Sequence, residues 1–259
     1  MKHHAYESPF KMVDEEGNKY KLIVEQDDIA ENPREWDNLS TIICFHWRYD
    51  LGDKHNYDDV HEMLEDLAEN VGINYEDKNT YDLMTELSPY YCIKPLHLYD
   101  HSGITISTSN VYPYNDRWDA GCVGFVYISK DVELKELVEY VIDENGDRIR
   151  IEHKHDNGTT TYSYQTRPLT NKTWYNRASE WIDNEVKVYD QYLTGDVYGY
   201  KLEKEITVEE KCPHCNEVIK SYKEWIEEDS CWGFYGDCLE ENGILDYIPN
   251  KIVFVDWQR

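Results

Sequence analysis

The most specific chemistry in this sequence belongs to Cys212 and Cys215, which lie in the run CPHC. Two thiolates separated by two residues hold one zinc ion from a tight turn, and a closed tetrahedral site needs two further ligands. Cys231 and Cys238 are the candidates, although the six residues between them make a looser pair than usual, and His214 is a poorer one because it lies between the first two cysteines. The sequence therefore predicts either a structural zinc on these four cysteines, within a lobe over residues 203–240, or a metal-free hairpin.

A second group of polar residues falls at the end of a strand predicted over residues 42–49, rich in β-branched and aromatic side chains. Because side chains alternate along a strand, His46 and Arg48 share one face, about 7 Å apart. They form a candidate pocket if the polar ends of neighbouring strands meet there. The full candidate set is Asp37, His46, Arg48, Asp100, His101 and Asp119. A strand that simply runs out into solvent is the alternative.

Motifs of common catalytic sites do not occur in the sequence: it has no phosphate loop, dinucleotide fingerprint or paired-histidine zinc protease motif. Asp100, His101 and Ser102 are adjacent, but a catalytic triad is assembled by spatial geometry, and Asp and Ser are turn formers. We therefore expect a turn at these residues. A non-catalytic protein is favoured over a small enzyme.

The composition is strongly acidic. Lys and Arg total 26 against 53 Asp and Glu, which gives a net charge of −27. Such a surface attracts basic proteins and repels nucleic acid and anionic membranes. Direct binding to nucleic acid or to a membrane is therefore not expected. Part of the charge lies on one face of a helix predicted over residues 58–70. The candidate binding residues on that face are Asp58, Asp59, Glu62, Glu65, Asp66 and Glu69.

Two features bear on location. No apolar run approaches the ~20 residues of a membrane span, and the first residues lack the apolar stretch of a signal peptide. The expectation is a cytoplasmic protein with reduced cysteines. The seven cysteines then indicate core thiols and at most one metal site, with no further cofactor expected.

Strand and helix patterns follow one another without regular βαβ alternation. Hairpins are predicted over residues 10–24 and 96–109, strands over 121–129 and 251–257, and helices over 58–70, 80–88, 131–141 and 174–194. A polar segment over residues 142–168 contains a strong turn signal and is predicted to be an inserted β-hairpin. The pattern predicts a single α+β domain over residues 1–259, with a mixed, largely antiparallel sheet flanked by three or four helices.

Several blocks spread along the chain resemble a family of uncharacterised proteins of phages and mobile elements. The blocks are WDNL (36–39), CFHWRYDLGD (44–53), LYDHSGI (98–104), WDAGCVGFVY (118–127), YDQYLTG (189–195) and DSCWGFYG (229–236). Similar proteins carry a basic residue where this one has Trp47, and many lack the pair Cys212 and Cys215. The resemblance implies an accessory gene of a mobile element and a local origin for any zinc site, and it supplies no reaction.

Two functional hypotheses follow. The first is a non-catalytic accessory protein that binds a basic host protein, in its sharper form a DNA-mimic inhibitor of a nucleic-acid-binding defence protein in a bacterial host. Its basis is the charge of −27, the acidic helix and the resemblance. The second is a small enzyme or ligand-binding protein that uses the pocket around His46 and Arg48.

Overall fold

The structure is a computed structural model, and it describes residues 2–109, 120–131, 138–155 and 159–255. The chain divides into two compact units. The terminal unit comprises Met1–Trp36 and Val188–Arg259, and the central unit comprises Asp37–Lys187. Helices and largely antiparallel sheets are both present, so the predicted α+β class is confirmed. The single domain over residues 1–259 stays a prediction.

The helices and strands have the following bounds. In chain order they are β1 (Phe10–Val13), β2 (Lys19–Gln26), β3 (Thr41–Cys44), α1 (Val60–Asn70), α2 (Thr80–Leu87), β4 (Tyr91–Asp100), β5 (Ile104–Ser107), β6 (Ala120–Ser129), β7 (Val138–Tyr140), β8 (Arg150–Lys154), β9 (Thr160–Tyr164), β10 (Thr166–Pro168), α3 (Asn171–Thr194), β11 (Val197–Lys211), β12 (Val218–Tyr235), α4 (Ile244–Tyr247) and β13 (Val253–Phe254). Short 3-10 helices occur at Ala5–Glu7 and Pro33–Glu35.

The terminal unit is built on a five-stranded sheet in the order β12-β11-β2-β1-β13. The predicted hairpin over residues 10–24 is confirmed as β1 and β2, and the Asp14 carboxylate closes its turn by accepting the N–H groups of Glu16 and Asn18. Tyr20, Leu22 and Val24 alternate into the core, as a half-buried strand requires. One buried cluster lies on this sheet, formed by Ala5, Phe10, Met12, Tyr20, Leu22, Val24, Tyr200, Leu202, Phe234, Leu239, Ile244, Ile248 and Ile252.

Strands β11 and β12 form a long hairpin, paired from Val197↔Tyr235 to Lys211↔Val218. Strand β2 pairs with β11 only as far as Lys204. The part of β11 from Glu205 to Lys211 therefore extends past the β2 pairing by roughly 23 Å, at about 3.3 Å per residue. The extended part is largely exposed to solvent, and its apolar residues, among them Ile206 and Val208 on β11 and Val218 and Ile219 on β12, are half-buried or exposed.

The central unit is built on a four-stranded sheet in the order β3-β6-β4-β5. Helices α1 and α2 pack on it through a second buried cluster, which contains Ile43, Met63, Leu64, Leu67, Ala68, Leu83, Leu87 and Tyr91. The side-chain oxygens of Asp59 and Asn79 cap the two helices by accepting backbone N–H groups of the first turns. The predicted helices over residues 58–70 and 80–88 are confirmed.

Helix α3 is the longest helix of the described chain and confirms the prediction over residues 174–194. Its residues up to Lys187 belong to the central unit and those from Val188 to the terminal unit. Its buried side chains recur at helical spacing, at Trp174, Ala178, Ile182, Val186 and Tyr189. Within the described residues, none of the helices combines the length and apolarity that crossing a bilayer requires.

Two predicted elements differ from the structure. The predicted helix over residues 131–141 is wrong at its end, where residues 138–140 form strand β7. The backbone groups of β7 pair with those of β10, whereas in a helix they would bond to each other. Residues 132–137 lie outside the described residues. The predicted strand over residues 42–49 ends at Cys44. The chain turns back there, because Asp53 N–H donates to the Ile42 carbonyl at 2.8 Å and Gly52 forms a bridge with Ile43.

The segment over residues 142–168 contains the hairpin of β8 and β9, whose side chains are exposed. Cation–π contacts support it: the Arg150 guanidinium lies 4.2 Å from the ring centroid of Tyr162, and that of Arg148 lies 4.2 Å from Tyr140. Its predicted turn, residues 156–158, lies outside the described residues.

The N-terminal residues are tied to the segment after β12 by a carboxylate with a shifted pKa. Glu240 accepts the His3 backbone N–H at 2.9 Å, and its other oxygen lies 2.7 Å from His3 Nδ1. Desolvation, the largest single effect, raises the pKa of Glu240, but the hydrogen bonds from His3 and from backbone and thiol donors together lower it to about 2. A carboxylate with a lowered pKa stabilises the folded state above its unfolded pKa of about 4.3 and loses that contribution as the pH falls toward about 2.

Glu240→Gln is expected to lower the free energy of unfolding by about 1 kcal/mol at neutral pH, a value reduced for solvent screening. The difference from wild type should shrink between about pH 4.5 and pH 2, because the wild-type carboxylate is itself protonated there. Urea unfolding at several pH values measures this. Glu241→Gln is the matched control, since Glu241 forms an exposed ion pair with Lys2. A difference that stays constant down to pH 2 would contradict the assignment.

Candidate cation-binding cleft

A cleft of about 650 Å³ lies in the terminal unit. The loop after β2 forms one side of it, and Trp36 and the end of β12 form the rest. Its lining residues are Gln26, Asp27, Asp28, Ile29, Ala30, Glu31, Trp36, Trp232, Gly233 and Tyr235. The lining therefore combines carboxylates with large aromatic rings, and it contains no basic side chain.

The aromatic side chains of the cleft are held in place but keep accessible surface. Trp36 packs edge-on against Tyr235, with ring centroids 5.2 Å apart and planes at 87°. The Tyr235 hydroxyl donates to the backbone carbonyl of Glu31 at 2.6 Å, which ties β12 to the acidic loop. Trp36 is 45% exposed and Trp232 is 44% exposed. Both indoles can therefore contact a bound group.

Two glycines set the position of Trp232. A Cβ on Gly199 would lie 2.1 Å from the Trp232 ring, so only glycine lets the indole lie against β11. The register slips by one residue at this point, since Gly199 pairs with Trp232 and Tyr198 pairs with Phe234. Gly233 is the extra residue, at φ +88°, a conformation that favours glycine. This bulge shifts the alternation of β12, so that Trp232 and Tyr235 both line the cleft.

The cleft carries a negative potential. Asp27 is buried and stabilises the loop by accepting the N–H of Ile29 at 3.1 Å, whereas Asp28 and Glu31 are exposed. The pKa of the Tyr235 hydroxyl is raised to about 12, first by burial and then by the nearby carboxylates of Glu31 and Asp27. A site that disfavours an added negative charge favours a positive one.

A cation already lies against one of these rings. The Lys201 ammonium is 5.7 Å from the Trp232 ring centroid, and it is oriented by an ion pair with Glu25 at 2.7 Å. Indole faces attract ammonium and guanidinium groups through the ring quadrupole, most strongly when the cation loses water. Aromatic faces together with carboxylates are therefore the chemistry that recognises a lysine or arginine side chain.

Part of the predicted pocket around His46 and Arg48 does come together in the central unit. Arg48 Nη1 lies 2.9 Å from Asp100 Oδ2, and the Tyr49 hydroxyl donates to the same oxygen at 2.9 Å. The His46 ring stacks on Tyr49, with centroids 5.0 Å apart. His46 Nδ1 accepts the N–H groups of Arg48 and Tyr49, so the histidine stabilises a local turn that replaces the predicted end of the strand.

The other members of the predicted pocket lie elsewhere or outside the described residues. The His101 ring stacks on Tyr99, with centroids 5.9 Å apart, in the turn between β4 and β5. Asp37 is exposed at the start of the central unit. Asp119 lies outside the described residues. A smaller cleft of about 400 Å³ is lined by Phe45, His46, Trp47, Asp58, Asp59, Val60, Cys122, Val123, Gly124 and Phe125.

The predicted acidic face of α1 is present, but several of its carboxylates have local structural roles. The face comprises Asp58, Asp59, Glu62, Glu65, Asp66 and Glu69. Asp59 is the N-cap and accepts the N–H groups of His61 and Glu62. Asp66 accepts a hydrogen bond from the Tyr57 hydroxyl at 2.8 Å. These carboxylates have a structural role in stabilising the helix and its start, which needs no binding partner. The acidic face is therefore a weaker candidate binding site than the cleft.

The structure does not bring the four predicted zinc ligands together. Cys212 and Cys215 lie in the turn between β11 and β12, whereas Cys231 lies opposite Tyr200 on β12, roughly 43 Å along the strand from that turn. Cys238 follows the end of β12. Across the described ranges, no group of three or more His, Cys, Asp or Glu side chains is arranged to hold a metal ion. Zinc binding itself stays a prediction.

Sequence reasoning missed the cleft. Trp36 and Tyr235 are far apart in the chain, and the carboxylates Asp27 and Glu31 lie in a loop with no motif. A signal was present in the run that contains Trp232 and Tyr235, because aromatic residues flanked by glycines are typical of a bulged strand beside a site.

Fold and site together define an α+β protein with an acidic, aromatic cleft suited to cationic groups. Comparison with protein-family models, curated proteins and solved structures found no match to this chain.

Proposed function

We propose that this is a non-catalytic binding protein that takes a lysine or arginine side chain of a basic partner protein into the acidic aromatic cleft. The observation that carries the proposal is the combination of Asp28, Glu31 and two exposed indoles, Trp36 and Trp232, around one cleft. The net charge of −27 adds long-range attraction for a basic partner and repulsion of nucleic acid.

The proposal extends to the kind of partner. A basic host protein that binds nucleic acid offers clustered lysine and arginine side chains, and an acidic accessory protein of a mobile element would compete for them in the manner of a DNA mimic. The resemblance of residues 36–39 and 229–236 to proteins of phages and mobile elements supports this, since both blocks reach the cleft. Displacement of duplex DNA from the partner is the corresponding readout.

Replacing the cleft indoles should weaken binding of a basic peptide. For a fluorescent lysine-rich peptide, we expect Trp232→Ala and Trp36→Ala each to lower affinity about fivefold, since one cation–π contact is worth about 1 kcal/mol. Binding should weaken as ionic strength rises from about 0.1 M to about 1 M, because the Debye length falls from about 10 Å to about 3 Å. Fluorescence anisotropy measures both effects.

Trp47→Ala is the matched control, because Trp47 is 83% exposed and belongs to the central unit. It should bind the peptide as the wild type does. A second control is the same peptide with acetylated lysines, which keeps its length but loses its charge. Equal loss for Trp47→Ala and Trp232→Ala, or equal binding of the acetylated peptide, would show that the cleft is not the site.

The alternative, a small enzyme or ligand-binding site around His46, is favoured by one observation: Arg48 and Tyr49 converge on Asp100. The Arg48 guanidinium is also 4.9 Å from the ring centroid of Trp47, and Trp47 lines the 400 Å³ cleft together with residues that include Asp58 and Asp59. An anionic small molecule would be the class of ligand that such a guanidinium attracts. Binding that depends on Arg48 and is indifferent to Trp232 distinguishes this function from the first.

A further inference from the structure

The tip of the β11–β12 hairpin has a closed, regular turn. Cys212 N–H donates to the Glu217 carbonyl at 2.8 Å, and Asn216 N–H donates to the Cys212 carbonyl at 2.9 Å. Asn216 has φ +59°, the left-handed conformation that lets the chain reverse directly after the second cysteine. The turn therefore holds Cys212 and Cys215 in one fixed arrangement.

The two cysteines lie on the same reversal of the chain, separated by two residues. Cys212 is half-buried and Cys215 is exposed, with the Cys215 sulfur 3.7 Å from Glu217 Oε2. Two cysteines separated by two residues in a tight turn are the arrangement that binds one zinc ion from one side.

The remaining ligands of a closed site do not come from the same chain's predicted cysteines. Cys231 lies roughly 43 Å from the turn along β12. Cys238 is fixed further on, in a bridge with His4. Zinc in a structural site takes four ligands in a tetrahedron, so a turn that supplies two thiolates is half of such a site.

We propose that one zinc ion joins two copies of this chain at their hairpin tips, bound by Cys212 and Cys215 of each copy. The four thiols release their protons as the zinc binds, and four Zn–S bonds form without any change of oxidation state.

The surroundings of the turn fit such a junction. The tip extends past the β2 pairing by roughly 23 Å of strand. That distance keeps apart two bodies that each carry a formal charge of −27. Val218 and Ile219, directly after the turn, are 49% and 68% exposed, and a second tip would cover them.

The test is zinc titration of the full-length protein, stripped of metal and kept reduced, with molar mass followed by light scattering after gel filtration. We expect the mass to double and zinc to saturate at about one ion per two chains, with reversal by a chelator. Added salt should not weaken this dimer, because screening relieves repulsion between like-charged chains. Binding of a basic partner should weaken with salt, so the two proposals fail separately.

Cys212→Ser and Cys215→Ser should each abolish both zinc binding and doubling, with unchanged circular dichroism because the turn lies at the surface, with Cys212 half-buried and Cys215 exposed. Cys122→Ser is the matched control, since Cys122 is also an exposed free cysteine. Saturation at one zinc per monomer without a mass change would overturn the proposal. So would the absence of any zinc binding beyond that of Cys212→Ser, or an equal loss in Cys122→Ser.

Discussion

Gly124→Ala is expected to destabilise the central unit by about 3 kcal/mol, the largest effect that we predict for a single methyl group. A Cβ on Gly124 would lie 1.9 Å from the Ile43 carbonyl oxygen and 2.9 Å from the Cys44 Cα. These are backbone atoms of β3, and they cannot move aside as a flexible side chain does. Gly124 also pairs with Leu96 on β4, so the strand is held on both sides.

The same strand supplies the control. Gly121 also lies on β6, yet a Cβ there would meet nothing within 4 Å. Gly121→Ala should change stability by less than about 0.5 kcal/mol, as substitutions outside special environments do. Urea unfolding followed by tryptophan fluorescence compares the two variants. Equal effects of Gly124→Ala and Gly121→Ala would mean that β3 and β6 do not approach as described.

A buried ammonium group gives the second large effect. Lys94 on β4 is 5% exposed, and its Nζ lies 2.5 Å from Asp183 and 3.2 Å from the Ser179 hydroxyl, both on α3. Thr108 donates to the same Asp183 oxygen. Asp183→Ala should cost about 2–3 kcal/mol, because it leaves the Lys94 charge buried with a single neutral acceptor. The value is set below that of a fully buried pair, since Asp183 is half exposed.

A double variant separates charge burial from packing. Lys94→Met combined with Asp183→Ala should recover at least half of the stability that Asp183→Ala loses, because no buried charge remains unpaired. Glu86→Ala removes one partner of the surface pair Lys78–Glu86 in the same unit and should cost less than about 1 kcal/mol. If the double variant is less stable than Asp183→Ala, the cost comes from lost contacts and not from the buried charge.

Much of the fold could be predicted from local sequence patterns. Helices α1 and α3 carry apolar side chains at helical spacing, and the β1–β2 hairpin joins alternating strands through an acidic glycine turn. The length of β11 and β12 was not predicted, because their extended part is largely exposed and is held by cross-strand pairs such as Lys223–Glu205. Such pairs leave no periodicity in a single strand.

The cleft could not be predicted because its parts are distant in the chain and its geometry depends on backbone details. The bulge at Gly233 decides that Trp232 and Tyr235 share one side, and no pattern of apolar residues reveals a one-residue register shift. The His46 pocket was predicted on a strand that continues past Cys44. The turn at His46 removed that strand, and Arg48 still reached Asp100 because its side chain is long.

The central claim, that the cleft binds a cationic side chain, is tested most directly at the indole N–H groups by NMR. On titration with the lysine-rich peptide, the indole signals of Trp36 and Trp232 should shift together and saturate, while that of Trp47 stays in place, because only the first two line the cleft. Each signal is assigned with a Trp→Phe variant, and the acetylated peptide should move none of them. Shifts at Trp47 as large as those at Trp232, or no saturable shift at either cleft indole, would contradict the account.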